Sequence, residues 1–452
     1  MKRYTVLNPL KYPLLLIILF LLCANMACKK FVDTPLPASK IPAELALASD
    51  GSLVSALLGA YAAVTNTTVF TTCYFSDELI FSNAATSTLQ AQENTYTPDV
   101  DYGYFSNYYK AIYNANLILE ALNKSNTITP AVAKQVKGEC EFLRAFSYYR
   151  LISFYGSVPL VLTTNVEVSA TQGNTPVAQI YDQIIKDLQD AKTLLPAAYP
   201  SADRVRANQS AVSALLARVY LLKEDWANAE LESSQLISSA DYKMPADLNA
   251  VFVKGSTETI WQLWNVNGYT PGGATFLPSV TSSVFYRLRD GLVNAFPATD
   301  KRKAAWIKAG TGASANFYYP NKYKQRVAVT SAAAEYLVEF RLAEQYLIRS
   351  ESRAHQNKIA DGLSDLNVVH GRANTVLFTS ADQSDLLLKI EQERRLELMT
   401  EEGLRWFDLN RTGRTAFWLA PIKPTFTARA VLLPYPTSVL MANPNLMQNP
   451  GY

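Results

Sequence analysis

Along most of the chain, apolar residues recur at three- and four-residue steps, the mark of helices that bury one face. In SLVSALLGAYAAV the step is kept by Leu53, Leu57 and the Ala60-Tyr61 pair. It returns over Tyr108–Leu122 and Ala131–Phe154, where Val136, Cys140, Leu143, Phe146 and Tyr149 trace one face. Gly156 and Pro159 then stop the pattern, as helix C-terminal signals do. Ile180–Leu195 is amphipathic between Pro176 and Pro196. Ser384–Asn410 predicts one last long helix, with Glu391–Arg395 and Glu401–Arg405 spaced as i,i+4 pairs on its surface. The final residues, Asn443–Tyr452 (NPNLMQNPGY), predict a turn-rich strap.

Two stretches repeat more than a single helix. Asn208–Ser238 reads as a helix, a turn at Glu224-Asp225 and a second helix. Small residues at Ala214, Ala217 and Ala229 face large ones at Leu216, Tyr220 and Trp226, the close-packing logic of a tetratricopeptide repeat. Tyr336–Val369 predicts a similar pair, one helix through Arg341–Ala354 and another over Ile359–Val369. The expected fold class is therefore all-α, a tetratricopeptide-like helix-pair scaffold with a few short strands.

Two other stretches lose the helical period. Residues 64–106 are rich in Thr, Ser, Asn and aromatics and predict long ordered loops. Residues 243–330 cluster Pro, Gly, Asn and aromatics, with a strand-like run at Glu258–Leu263. Loops of that length on a compact scaffold usually carry function.

The amino terminus changes the setting. Lys2, Arg3 and Lys11 precede an apolar run, Pro13–Leu22, and then Asn25-Met26-Ala27-Cys28. This is the layout of a cleaved export signal over residues 1–27, with Cys28 as the acylated residue of a lipoprotein. Ordinary secretion with a free Cys28 is the alternative, since Asn25 stands where an apolar residue is usual. Pro35, Pro37 and Pro42 make residues 28–42 an extended tether of about 40 Å. Loss of Lys2, Arg3 and Lys11 brings the 42 basic residues level with the 39 acidic ones. A neutral body offers no electrostatic footprint for nucleic acid. Cys73 and Cys140 remain, either paired in an oxidising compartment or as two buried thiols.

The sequence offers little for catalysis. His355 and His370 are the only histidines, and no G-x-S-x-G, H-E-x-x-H, C-x-x-C or phosphate-binding loop occurs. The acids between Glu391 and Glu402 alternate with Arg394, Arg395 and Arg405, which reads as an ion-paired face rather than a glycosidase pair. No metal site and no cofactor is expected.

An ordered set of motifs resembles the SusD/RagB family of nutrient-binding lipoproteins of Bacteroidetes. It comprises Cys28-Lys29-Lys30-Phe31-Val32-Asp33, Leu58-Gly59-Ala60-Tyr61, GECEFLRAFSYYRLISFYGSVPL from Gly138, Asp187-Leu188, Leu215–Tyr220, Glu393-Arg394-Arg395, Glu402–Leu409 and Gln448–Tyr452. His370 stands where the family commonly has a basic residue. The resemblance implies a noncatalytic cell-surface subunit, lipid-anchored in the outer membrane and facing the exterior. It would capture oligosaccharide and pass it to a SusC-like TonB-dependent transporter. Residues 43–240 and 241–452 would be its N- and C-terminal regions, packed as one body. A scaffold lipoprotein binding only protein partners is the alternative.

Sugars present flat C–H faces and hydroxyl edges, so a binder needs open aromatic rings with amides beside them. Phe81, Asn83, Tyr96 and Tyr102 in the first loop stretch, and Trp264, Asn267, Tyr269 and Tyr286 in the second, are the candidates. Arg144, Arg405 and Trp406 lie in amphipathic helices and are expected to keep the fold.

Overall fold

Leu53, Leu57, Ala60, Tyr61 and Val64 line the buried side of the first helix, α1 (Asp50–Thr65). In this computed structural model the described residues are 47–452, other than 66, 68, 83–85 and 381. The expected signal over 1–27, Cys28, the expected tether over 28–42 and Asn83 lie outside them.

After α1 come α2 (Thr72–Phe75), β1 (Leu79–Phe81) and α3 (Thr86–Glu93). The first aperiodic stretch is thus not loop alone. These pieces are too short to display a period, which is why the sequence hid them. Then follow α4 (Tyr104–Lys124), α5 (Pro130–Tyr155), α6 (Val166–Ser169), α7 (Val177–Leu194), α8 (Gln209–Leu222) and α9 (Trp226–Ile237). Pro130 starts α5 where a missing N–H costs nothing, and Gly156 at φ 70° ends it. Almost every residue of α5 from Gly138 onward is buried, because helices pack on several of its sides. A Cβ on Gly138 would meet Leu195 at 2.8 Å, so this glycine sets how closely α5 approaches the end of α7. The predicted α8–α9 hairpin forms, capped by Asn208 on the Ala211 N–H and by Asp225 on the Asn228 N–H.

The second half adds β2 (Thr259–Leu263), α10 (Pro271–Phe276), β3 (Tyr286–Leu288), α11 (Asp290–Val293), α12 (Lys301–Trp306), β4 (Ile307–Ala309), β5 (Tyr318–Pro320) and β6 (Leu337–Arg341). It closes with α13 (Leu342–His355), α14 (Ile359–Arg372), α15 (Gln383–Glu397), α16 (Leu404–Arg411), α17 (Thr415–Leu419) and α18 (Thr437–Ala442). The strands form three separate antiparallel ribbons, β1–β3, β2–β6 and β4–β5. Helix packing runs from α1 through α4, α5, α7, α8 and α9 to α13, α14 and α15. Among the described residues the larger apolar cluster stretches from Leu47 to Tyr435, and a second, with Leu347, Leu366 and Ile390, lies between α13, α14 and α15. The fold is mainly α, with helix pairs as scaffold.

Two expectations are corrected. Ser384–Asn410 is not one helix: the chain breaks after Glu397 and turns through Thr400, Glu402 and Gly403, all at positive φ, before α16. The turn carries Glu401 to Arg341 and Lys322, while the Glu402 carbonyl accepts from Arg150. The i,i+4 pairs do not form: the turn separates Glu401 from Arg405, and within α15 Glu391 and Arg395 take other partners. Glu391 accepts from Arg414 at 3.1 Å, and Arg395 and Arg405 both reach Asp77. Of the alternatives for the cysteines, Cys73 and Cys140 are two free, buried thiols.

Candidate ligand-binding face

The two aperiodic stretches meet at the β1–β3 ribbon. Leu79 pairs with Leu288, Ile80 with Arg287 and Phe81 with Tyr286. The ladder continues at both ends, through Ser82 N–H to Phe285 O and Arg289 N–H to Glu78 O, each 2.9 Å. Leu79 and Leu288 are buried and hold the ribbon to the core. At its open end Phe81 and Tyr286 are half-buried and stacked, with centroids 4.6 Å apart and planes 13° from parallel. Gln92 in α3 fixes the Phe81 backbone by accepting its N–H at 2.8 Å. Tyr74 and Phe276 pack beside Tyr286 at 6.4 and 5.9 Å.

A second group lies on the loop after β2. Trp264 is 53% exposed and borders a small cavity of about 140 Å³ with Thr65, Asn265, Thr270 and Pro271. Gly268 adopts φ 67° there, and a Cβ on it would strike the Val329 carbonyl oxygen. Asn267 is exposed, its carbonyl accepting from Val329 N–H at 2.8 Å, and Tyr269 is half-buried. Thr270 caps α10, whose far end supplies Phe276 to the Tyr286 cluster. The Trp264 loop and the Phe81–Tyr286 stack are therefore joined by one short helix.

Two predicted residues sit deeper. Tyr96 is buried at 1% exposure, its ring edge-on to Phe75 at 5.0 Å and its hydroxyl bonded by Asn94. Its face is closed to any ligand, so it belongs to the core. Tyr102 is half-buried between Phe75 and Tyr104, with its hydroxyl on the Ser87 carbonyl at 3.4 Å. Arg144, Arg405 and Trp406 are buried, Arg144 on Asp187 and Arg405 on Asp77.

Beside the candidate residues stand Phe285, 47% exposed, and Arg287 and Arg289, which alternate with Tyr286 and Leu288. The Y-R-L-R alternation was the available signal, since alternate residues of a strand point to opposite faces. Below the ribbon, burial alone would raise the Asp77 carboxyl, but Arg405 and Arg395 hold it under the usual carboxylate range. Burial pushes Glu78 up to about 7, opposed by the Thr400 N–H. Lys423 is buried and donates to the Tyr74 and Phe75 carbonyls and to Asn94 Oδ1 at 2.6–2.7 Å.

A separate cleft of about 550 Å³ opens between α9, α13, α15 and α16, lined by Trp226, His355, Leu387 and Leu388. None of the candidate residues borders it. Most of its charges are matched within the walls, Arg411 on Glu351, Arg394 on Asp408 and Arg414 on Glu391, as in a seam of the scaffold. Among the described residues no cluster of His, Cys, Asp and Glu could hold a metal ion, and no helix is long and apolar enough to cross a membrane.

Helix pairs carrying a loop-built aromatic face define a class of scaffolded binding proteins, and within it the chain belongs to the SusD family. A family model described as starch-binding and associating with the outer membrane matches residues 36–221, and the SusD family model matches residues 298–424. Among curated relatives, the SusD-like protein P25 of Formosa agariphila is 24% identical, covering 97% of this chain and 99% of its own. Another from the same organism, SusD-like protein P2, is 28% identical over 76% of this chain and 77% of its own. The fold matches a SusD superfamily protein of Bacteroides vulgatus at TM-score 0.80 and 20% identity, over 89% of this chain and 99% of that one. A laminarin-binding SusD-like protein matches at 0.78 and 21%, with the same coverage. The surface glycan-binding protein A of Bacteroides thetaiotaomicron matches at 0.76 and 20%, over 90% and 100%.

Proposed function

We propose that this protein is a glycan-capturing lipoprotein of the outer membrane that holds oligosaccharide at the cell surface and hands it to a SusC-like TonB-dependent transporter. It binds and does not cleave. The observation that carries the reading is the β1–β3 ribbon, where the two loop stretches deliver Phe81 and Tyr286 as a stacked pair on a rigid helical scaffold. Exposed Trp264, with Asn267 and Tyr269 on its loop, adds a second aromatic platform tied to the first through α10. Aromatic faces stack on sugar C–H surfaces, and flanking amides read hydroxyls. A laminarin-binding protein and a surface glycan-binding protein among the similar folds support the same class of ligand. Acylation at Cys28 and the prolyl tether would keep the body at the membrane while leaving it free to move over a transporter mouth.

Titration calorimetry against a broad oligosaccharide panel tests capture. A micromolar or tighter ligand whose affinity drops at least about tenfold in Trp264→Ala or Phe81→Ala supports it, since one stacked ring contributes roughly 1–3 kcal/mol. No binding to any glycan, with a protein partner recovered instead, supports a protein-only scaffold. Cys28→Ser should release the chain from the membrane fraction, and protease shaving of intact cells reports which side it faces. Transfer is read as ligand-dependent uptake that fails when the transporter gene is deleted.

A further inference from the structure

Arginine is handled in two ways in this molecule. Among the described residues every arginine but two has an acceptor in reach, whether a carboxylate or, for Arg204, Arg326 and Arg429, a backbone carbonyl. The exceptions are Arg287 and Arg289, on or beside β3. Both are half-buried, and the Nε of each is shut from solvent without an acceptor. The Arg287 guanidinium lies over the Phe317 ring at 4.6 Å, and no carboxylate approaches it.

Strand alternation puts Phe285, Arg287 and Arg289 on one face of β3, opposite buried Leu288. The charge around them is unbalanced. Asp77, one of the two acids acting on Arg289, is already held by Arg395 and Arg405, which leaves Glu93. Lys423 close by is buried on neutral acceptors, and burial pulls it well below its ordinary range, with Arg289 adding to the effect. Burial pulls Arg289 below its ordinary range, opposed by Glu93 and Asp77. A guanidinium partly removed from water without an anion is unfavourable, and a charged acceptor repairs this better than a neutral hydroxyl.

We propose that the outer face of the β1–β3 ribbon, Arg287 and Arg289 with Phe285 and Phe317, binds the acidic groups of an anionic glycan, the carboxylate of a uronic acid or a sulfate ester. The proposal rests on the glycan-capture reading and names its substrate class. The aromatics supply stacking surface for the sugar rings, and the two guanidinium groups, two residues apart, meet the oxyanions.

Calorimetry of the full chain with a tetragalacturonate, a sulfated carrageenan tetrasaccharide and neutral laminaritetraose tests it. At least one acidic probe should bind about tenfold or more tighter than laminaritetraose, and which one binds identifies the oxyanion. Its affinity should fall between about 50 and about 300 mM NaCl. R287Q/R289Q should lose about tenfold or more for that probe while neutral binding stays within about twofold, and R287K/R289K should retain part of it. Tighter binding of the neutral probe, or an acidic affinity untouched by R287Q/R289Q, overturns the anionic assignment and leaves glycan capture standing. Absence of binding across these probes and a wider glycan array overturns both. Should R287Q/R289Q fold poorly by its melting curve, the salt dependence of the wild-type chain decides, and a flat response overturns the proposal.

Discussion

Around Glu397, Arg302 and Arg341 are buried, Arg372 has a side chain only 6% exposed, and all three are surrounded by acids; on the β1–β3 ribbon, Arg287 and Arg289 are half-buried and no carboxylate pairs with either. Arg341 touches Glu258, Glu397 and Glu401 at 2.7 Å. Arg302 holds Asp300, Glu393 and Glu397 at 2.6–2.9 Å, and Arg372 bridges Glu258 and Glu397. His370 enters the same cluster through Glu393 at 2.7 Å. The scaffold network pairs its arginines with the chain's own carboxylates, which ties β6, α12, α14 and α15 together. The ribbon is open. The same residue type thus marks architecture in one region and recognition in the other, and the deciding variable is whether the acid comes from the chain.

Breaking the closed region should have the largest effect. Arg341→Met removes the cation shared by Glu258, Glu397 and Glu401 and leaves Arg302, Arg372 and Lys322 to balance them in the interior, so unfolding free energy should fall by roughly 3–5 kcal/mol in urea denaturation. A loss below about 1 kcal/mol would show that water or rearrangement replaces the guanidinium, and the contrast with the ribbon would fail. Arg289→Gln removes no partner, and its stability change should stay within about 0.5 kcal/mol.

The next effect is in pH. Burial pushes Glu402 up to about 8, with Glu339 adding to it and Arg150 opposing. Its folded pKa lies above the unfolded value, so the unfolded chain releases this proton first. The contribution is complete below about 4.5 and is lost as pH rises to about 8. Melting temperature from pH 5 to 9 should therefore decline more steeply in the wild type than in Glu402→Gln, by an amount worth up to a few kcal/mol. The gap should widen with pH and flatten above pH 8. Parallel curves would mean that Glu402 ionises freely within the fold.

How much of this could be read from the sequence follows from period and range. The helices of the scaffold were legible because burial of one face leaves a three- and four-residue rhythm over a dozen positions or more, as in α5 and the α8–α9 pair. The break before α16 was not, because Glu391, Arg395, Glu401 and Arg405 have spacings that suit a continuous helix. Their real partners, Arg414, Asp77, Arg341 and Lys322, lie outside that segment. At the face, exposed aromatics could be nominated but not sorted. Phe81 and Tyr286 meet only because two three-residue strands pair across nearly half of the chain, and Tyr96 turns inward onto Phe75. Arg287 and Arg289 stand out only against the other described arginines, each of which has an acceptor in the fold.

The loop that carries Trp264 separates geometry from stability on the open side. Gly268→Ala forces a side chain at φ 67° against the Val329 carbonyl, which should cost about 1–3 kcal/mol and displace the turn. Trp264→Ala removes a ring that is 53% exposed, so stability should move by less than about 0.5 kcal/mol. If the loop is a binding element, both variants should weaken glycan affinity, one by displacing the ring and the other by deleting it. Their stabilities should differ nonetheless. A Trp264→Ala protein that melts normally and binds normally would restrict recognition to the ribbon, whereas one that melts normally and binds poorly would extend the open region across α10 to both ends. Because the ring contributes so little to folding, a loss of affinity there cannot be put down to a damaged scaffold, and the smallest stability change is the one that isolates recognition best.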